Sequence, residues 1–285
     1  MMKFFFIMIF SIGLANAQTL KPKAIADLPK KLKETSGLIY NGDGQIWTLN
    51  DGGNDASIYL LSEKGEIKRE IKLKDAKNYD WEALTKDDEG NFYIGDIGNN
   101  SNNRKHLKIY KIKNPNKVKD SDVSVTEIKF RYKSQNEFPP KKSKLYFDCE
   151  SMIVMNDTIY LFSKNRTKPY DGKVKVFAIP AKKGEHKAKK VDELYTNKGS
   201  MYNYWITDAC LSPDKKTLVL LSTNKIYVYR NFKGTDFSSG ERSLYYLSGF
   251  SQKEGICFKN NNELYITDEI LGPTGGKLYL LKLPK

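Results

Sequence analysis

The sequence predicts an all-β fold, a five-bladed β-propeller, on three observations. A short phrase recurs five times, strand-like runs follow each copy, and no helical period longer than a turn or two appears. The phrase is polar-x-acidic-small-apolar, and its copies begin at Glu34, Asp80, Asp148, Ile206 and Gln252. Ser36 fills the acidic slot of the first copy, and Ile206 breaks the leading slot of the fourth. The slots, Ser36, Glu82, Glu150, Asp208 and Glu254, lie 46, 68, 58 and 46 residues apart. Roughly 40 to 50 residues per four-stranded blade is the usual spacing of propeller repeats. The two long intervals carry apparent surface insertions, residues 114–123 with 138–142, and residues 181–187.

Each phrase runs into a turn rich in Asn, Asp, Gly or Lys and then into an apolar run such as residues 46–50 or 92–96. Turn chemistry between two β-branched or aromatic runs predicts tight hairpins. A third run (58–61, 107–110, 174–177, 226–229, 278–281) and a more polar fourth (66–73, 125–132, 189–195, 242–247) complete four-stranded antiparallel blades. The fifth unit lacks its fourth run. Residues 23–28 are expected to supply it, so that an N-terminal strand closes the last blade and the ring.

Lys3, the apolar run 4–14 and Ala15-Asn16-Ala17 have the layout of a secretory signal peptide over residues 1–17. The run is far short of the ~20 residues of a spanning helix. The expectation is a periplasmic or secreted protein, with residues 18–285 as a single propeller domain and no membrane span. Three cysteines allow at most one internal disulfide, and Cys210 and Cys257 sit in apolar runs that favour buried free thiols. The net charge is +14, yet only six of 48 basic residues are Arg, and the Lys are scattered. That pattern reads as a solvated surface with some attraction for acidic partners, not as a nucleic-acid interface.

In a propeller the start of strand one and the end of strand two of every blade meet at one mouth of the channel. Glu34, Asp80, Glu82, Asp148, Glu150, Asp208 and Glu254 come from the first strands, and Asn50, Asp51, Asp96, Ser163, Ser222, Asp268 and Glu269 from the second. Converging carboxylates must take up protons or a cation. An oxygen-rich cluster poor in His and Cys suits Ca²⁺ first and Mg²⁺ second. The candidate metal ligands are Glu82, Glu150, Asp208, Glu254, Asp96 and Asp268. The competing reading is structural, each acid pairing with its own Lys, Arg or backbone amide, for which Arg104 and Arg166 are suitably spaced. The string Asp96-Ile-Gly-Asn-Asn100 forms a tight loop with exposed donors, and Asp51, Asn99, Asn100 and Arg104 are candidate binding residues. No catalytic residue is assigned, because His106 and His186 lack evident partners and no phosphate-cradling loop opens a helix.

Through Thr48-Leu-Asn-Asp-Gly-Gly53, Asp80-Trp-Glu82, Asp96-Ile-Gly-Asn-Asn100 and the Glu-Ala-Leu and Glu-Gly-Ile phrases, the chain resembles a calcium-dependent propeller group. That group includes phytase-like, lactonase-like and SdiA-regulated proteins. The resemblance implies a propeller with cations at the channel mouth. Exported propellers of this kind also resemble accessory subunits of outer-membrane secretion complexes, including the type 9 system, an analogy of architecture and compartment. The expected function is a non-enzymatic protein-binding module of the cell envelope. Aromatic residues expected in surface insertions (Tyr146, Phe147, Tyr170, Tyr202, Tyr204, Trp205) favour it. The alternative is a calcium-dependent phosphoesterase or lactonase.

Overall fold

Short apolar runs punctuated by turn residues build strands along the whole of residues 18–284, the part of the chain that the computed structural model describes. The signal-peptide reading of residues 1–17 lies outside the described residues. After β1 (Gln18–Leu20) and β2 (Lys23–Asp27) come β3 (Thr35–Tyr40), β4 (Gln45–Asn50), β5 (Ser57–Ser62) and β6 (Ile67–Lys74). Next are β7 (Trp81–Lys86), β8 (Phe92–Asp96), β9 (Leu107–Ile112), β10 (Asp122–Ser124) and β11 (Thr126–Tyr132). They are followed by β12 (Cys149–Met155), β13 (Thr158–Ser163), β14 (Lys173–Pro180) and β15 (Gly184–Tyr195). A one-turn helix, α1 (Met201–Tyr204), precedes β16 (Asp208–Leu211), β17 (Thr217–Ser222), β18 (Lys225–Arg230) and β19 (Glu241–Leu247). The last strands described are β20 (Lys253–Asn260), β21 (Glu263–Asp268) and β22 (Lys277–Lys282).

These strands form four hydrogen-bonded sheets, in the orders β10-β6-β5-β4-β3, β12-β13-β14-β15-β11-β9-β8-β7, β1-β19-β18-β17-β16 and β2-β22-β21-β20. The eight-stranded sheet is two antiparallel runs joined by one parallel pairing, Ile128–Tyr132 of β11 against Gly184–Ala188 of β15. Residues 181–187, expected to be a surface insertion, therefore belong largely to a strand. Residues 114–123 likewise yield β10, which adds a parallel edge to β6. β2 pairs antiparallel with β22, where a closing strand is expected, while β1 adds an unforeseen parallel edge to β19. These additions cover backbone groups that a bare edge strand would expose to unwanted pairing.

The first strand of each antiparallel run is innermost. β3 packs against β7, β7 against β12, β12 against β16, β16 against β20, and β20 back against β3. Apolar side chains fill the wedges between neighbouring sheets. Trp47, Trp81, Phe92 and Tyr110 form one wedge, and Leu38, Tyr59, Tyr265 and Leu278 join the first run to the last. Gly37 shows how tightly the inner strands approach. Its φ is +63°, and a Cβ there would lie 2.5 Å from the Leu84 backbone nitrogen.

Tyr146 and Phe147 depart from the expectation of exposed aromatic residues. Both are buried, and the Phe147 ring stands 5.2 Å from that of Tyr132. The three cysteines are buried and free. Among the described residues no helix is long and apolar enough to cross a membrane.

Candidate functional site

The inner strands all begin at the same end of the ring, and a β-bulge sets the direction of the first acidic side chains. Register shifts fall between Trp81 and Ala83, between Cys149 and Ser151, and between Lys253 and Gly255. The unpaired residues are Glu82, Glu150 and Glu254. A bulge re-aims the side chain it carries, and these three carboxylates turn into the channel mouth, where each is at least nine-tenths buried. In the first run the corresponding shift falls at Gly37, which has no side chain to offer.

β16 pairs with β17 without a shift, and this displaces Asp208 from the cluster. Its carboxylate accepts from the Ala209 nitrogen at 2.8 Å and from the Ile256 nitrogen at 2.7 Å, tying one inner strand to the next. Asp268 is also absorbed by the framework, accepting from the Lys277 nitrogen and the Tyr279 hydroxyl at 2.8 and 2.7 Å. Asp96 is fully buried, with Oδ1 2.6 Å from Arg104 and Oδ2 without a partner among the described residues. Of the six expected metal ligands, the structural reading therefore fits Asp208, Asp268 and Asp96. Glu82, Glu150 and Glu254 reach the mouth.

There Glu82 meets Asp80, two residues upstream and just before β7, and Asp51, just past the end of β4. One oxygen from each of these three carboxylates lies within 4.8 Å of the others. Among the described residues the Glu82 carboxylate, only 5% exposed, has no hydrogen-bond donor or ion-pair partner. Burial pushes Glu82 well above the ordinary carboxylate range, and the neighbouring Glu150 adds to the shift. Asp80 is pushed up to about 6 by burial and then by Asp51, with Arg104 opposing from 3.7 Å.

Glu150 pairs with Lys164, which follows β13 and is itself buried. Burial works against the Lys164 charge, but Glu150, Glu254 and Glu82 together outweigh it and keep the ammonium protonated. The Lys164 and Arg166 head groups lie 4.6 and 4.9 Å from the centre of the Trp205 ring, which therefore covers this side of the mouth. Arg166 also binds Asp148, whose other oxygen accepts from the Asn99 nitrogen at 2.7 Å. Glu269 is pushed up to about 8 by burial, with Asp51 the largest of its neighbouring charges.

Of the expected binding residues, Asp51 joins the acidic cluster. Asn99 is buried as a brace, donating to the Phe147 carbonyl at 2.8 Å and accepting from the Arg104 nitrogen at 2.9 Å. Asn100 is exposed and accepts from Arg166. Arg104 also donates to the Gly98 carbonyl at 2.5 Å.

Sequence reasoning missed Lys164 and the bracing role of Trp205. Lys164 occupies the slot immediately after the second strand, the slot that holds Asp51 and Glu269 in other units, so aligning that slot would have found it. Gly98 was missed as well. A Cβ there would lie 2.4 Å from the Asp80 carboxyl carbon and 2.6 Å from Glu82 Oε1. Gly98→Ala is expected to push the two carboxylates apart and to abolish any calcium-dependent rise in melting temperature, read by differential scanning fluorimetry. An undiminished rise would show that Asp80 and Glu82 do not hold the ion together.

The mouth gathers carboxylate oxygens of the kind that suit a hard cation. Burial raises all three thiols, and Cys149 accepts a hydrogen bond from Tyr132 at 3.1 Å. Asp51, Asp80, Glu82, Glu150, Glu254 and Glu269 face chiefly Lys164 and Arg166. Such a cluster is relieved either by protons, as the raised values of Glu82, Glu254 and Glu269 show, or by a further positive charge.

The ring of antiparallel sheets with its site at one mouth is the architecture of a β-propeller. No protein-family model matches the chain, and no curated protein matches it. Solved β-propeller structures do match. The PQQ-bound aldose sugar dehydrogenase of Streptomyces coelicolor is 8% identical with a TM-score of 0.51, the match covering 91% of this chain and 96% of that one. A virginiamycin B lyase of Staphylococcus aureus, crystallised with quinupristin, is 17% identical with a TM-score of 0.41, over 90% of this chain and 69% of that one. At these identities the likeness is one of fold.

Proposed function

We propose that this chain is a five-bladed, exported β-propeller that binds a calcium-class divalent cation at its channel mouth and acts as a protein-binding accessory module of the cell envelope. The blade count is supported by the closed cycle of five inner strands and by the single parallel seam that merges two antiparallel runs into one sheet. The observation that carries the cation is Glu82, buried and unpartnered, meeting Asp51 and Asp80 within 4.8 Å. Oxygen ligands with a buried carboxylate suit Ca²⁺, which accepts several carboxylates in flexible geometry.

The binding role is supported by the mouth-side loops. Tyr79, Tyr202, Phe250 and Leu271 stand there with 62%, 67%, 78% and 58% exposure, and exposed apolar residues gathered around a polar site are typical of docking faces. Arg104, Arg166 and Lys164 are each occupied by carboxylates, which leaves little positive charge for a phosphoester. The protein-binding reading is therefore favoured over the hydrolase.

Calcium is expected to raise the melting temperature of the chelator-treated protein. A native-state ligand at a hundredfold excess over its Kd adds about 2.7 kcal/mol. Glu82→Gln should remove that gain, and Phe250→Asp with Tyr202→Asp should abolish recovery of an envelope protein in pull-downs without changing the calcium response. A melting temperature indifferent to calcium would remove the cation from the proposal. Loss of neither partner nor affinity in the double variant would remove the docking face.

A further inference from the structure

The opposite end of the ring holds a second cavity that the acidic mouth does not use. The inner strands finish there, and between their ends lies a space of about 320 Å³. Its wall includes Leu38, Leu84, Val154, Cys210, Cys257 and Phe258. Thr85, Lys86, Asp88, Ser212 and Lys215 line it as well, so polar groups share the wall with the apolar ones. Cavities of this volume fall at the lower end of small-molecule sites.

The charges at the rim cancel except at one residue. Lys215 lies 2.6 Å from Asp88, Lys259 lies 2.9 Å from Glu63, and Asp87 is held by Lys111 at 3.4 Å. Lys86, the last residue of β7, has its ammonium 2.8 Å from the Tyr40 carbonyl and no carboxylate within ion-pair distance among the described residues. It is an uncompensated cation beside a chamber whose wall is part apolar and part polar.

We infer that this end of the channel binds a small monoanionic amphiphile, whose apolar body enters between the inner strands and whose anionic head pairs with Lys86. The inference is independent of the cation at the mouth. Tyr40 already fixes the Lys86 side chain at the rim, so the ligand meets a placed charge rather than a mobile one.

Octanoate, octanol and octylamine, titrated by calorimetry into the chelator-treated full chain, test the head group. Octanoate should bind with a stoichiometry of one per chain and more tightly than octylamine. Lys86→Met should weaken octanoate by about tenfold or more, the loss of one charge-assisted hydrogen bond, and leave octanol unchanged. Val154→Phe should fill the chamber and end binding of both. If that variant misfolds on its melting curve, the Lys86→Met arm decides. Equal binding of octanoate and octylamine, or an unaltered octanoate affinity in Lys86→Met, would each overturn the inference.

Discussion

Replacing Lys164 with methionine is expected to destabilise the fold by about 3–5 kcal/mol at neutral pH, the cost of leaving one partner of a buried ion pair unmatched. Lys164 is 7% exposed and Glu150 3%, and the ammonium also offsets Glu254 and Glu82. Methionine fills a similar volume without the charge, so the effect isolates electrostatics from packing. The loss should shrink as pH falls, because Glu150 can then take a proton and its burial ceases to be the burial of a charge. Glu150→Gln placed in the same chain should recover most of the stability, since a neutral pair needs no counter-ion. Urea unfolding of the four proteins of this cycle at two pH values measures it. Single and double variants with equal stability would mean that Lys164 is not what holds the cluster together.

The second large effect is the pH response of the metal-free protein. Burial pushes Glu254 up to about 7, with Lys164 opposing, and Asp80 up to about 6. A raised folded-state value means that the native state holds the proton more tightly than the unfolded chain. The stabilisation is fully present below the unfolded carboxylate value and is lost as pH rises through the folded one. For Glu254 the window runs from about pH 4.5 to about 7 and is worth about 3 kcal/mol at 1.36 kcal/mol per pKa unit. The chelator-treated protein should therefore weaken between pH 5 and pH 8, and calcium should reverse the trend by substituting for the lost protons. Glu254→Gln should flatten the chelator curve. A parent profile without slope across this range would count against a crowded, buried carboxylate cluster.

Much of the architecture was legible because a repeated phrase at intervals of one blade is a one-dimensional signal. The hairpins followed from turn residues, and the N-terminal closing strand followed from a missing fourth run. Less visible were the seams. Neither the parallel joining of β11 to β15 nor the attachment of β1 and β10 to neighbouring sheets leaves a periodic mark in the residues that make it. Partner choice at a strand edge depends on which edge lies within reach once the ring has formed.

The acidic site divides in the same way. The sequence by itself determined which residues repeat, hence that Glu82, Glu150, Asp208 and Glu254 occupy equivalent slots. Only the tertiary structure decided what those equivalent residues do. A bulge aims Glu82, Glu150 and Glu254 into the mouth, whereas the unshifted register of β16 spends Asp208 on the backbone of the neighbouring strand. Lys164 and Asp51 become partners of that mouth only because successive second strands end at one place. The physical reason is that a carboxylate's role depends on burial and nearby charge, and both are set by residues far away in the chain.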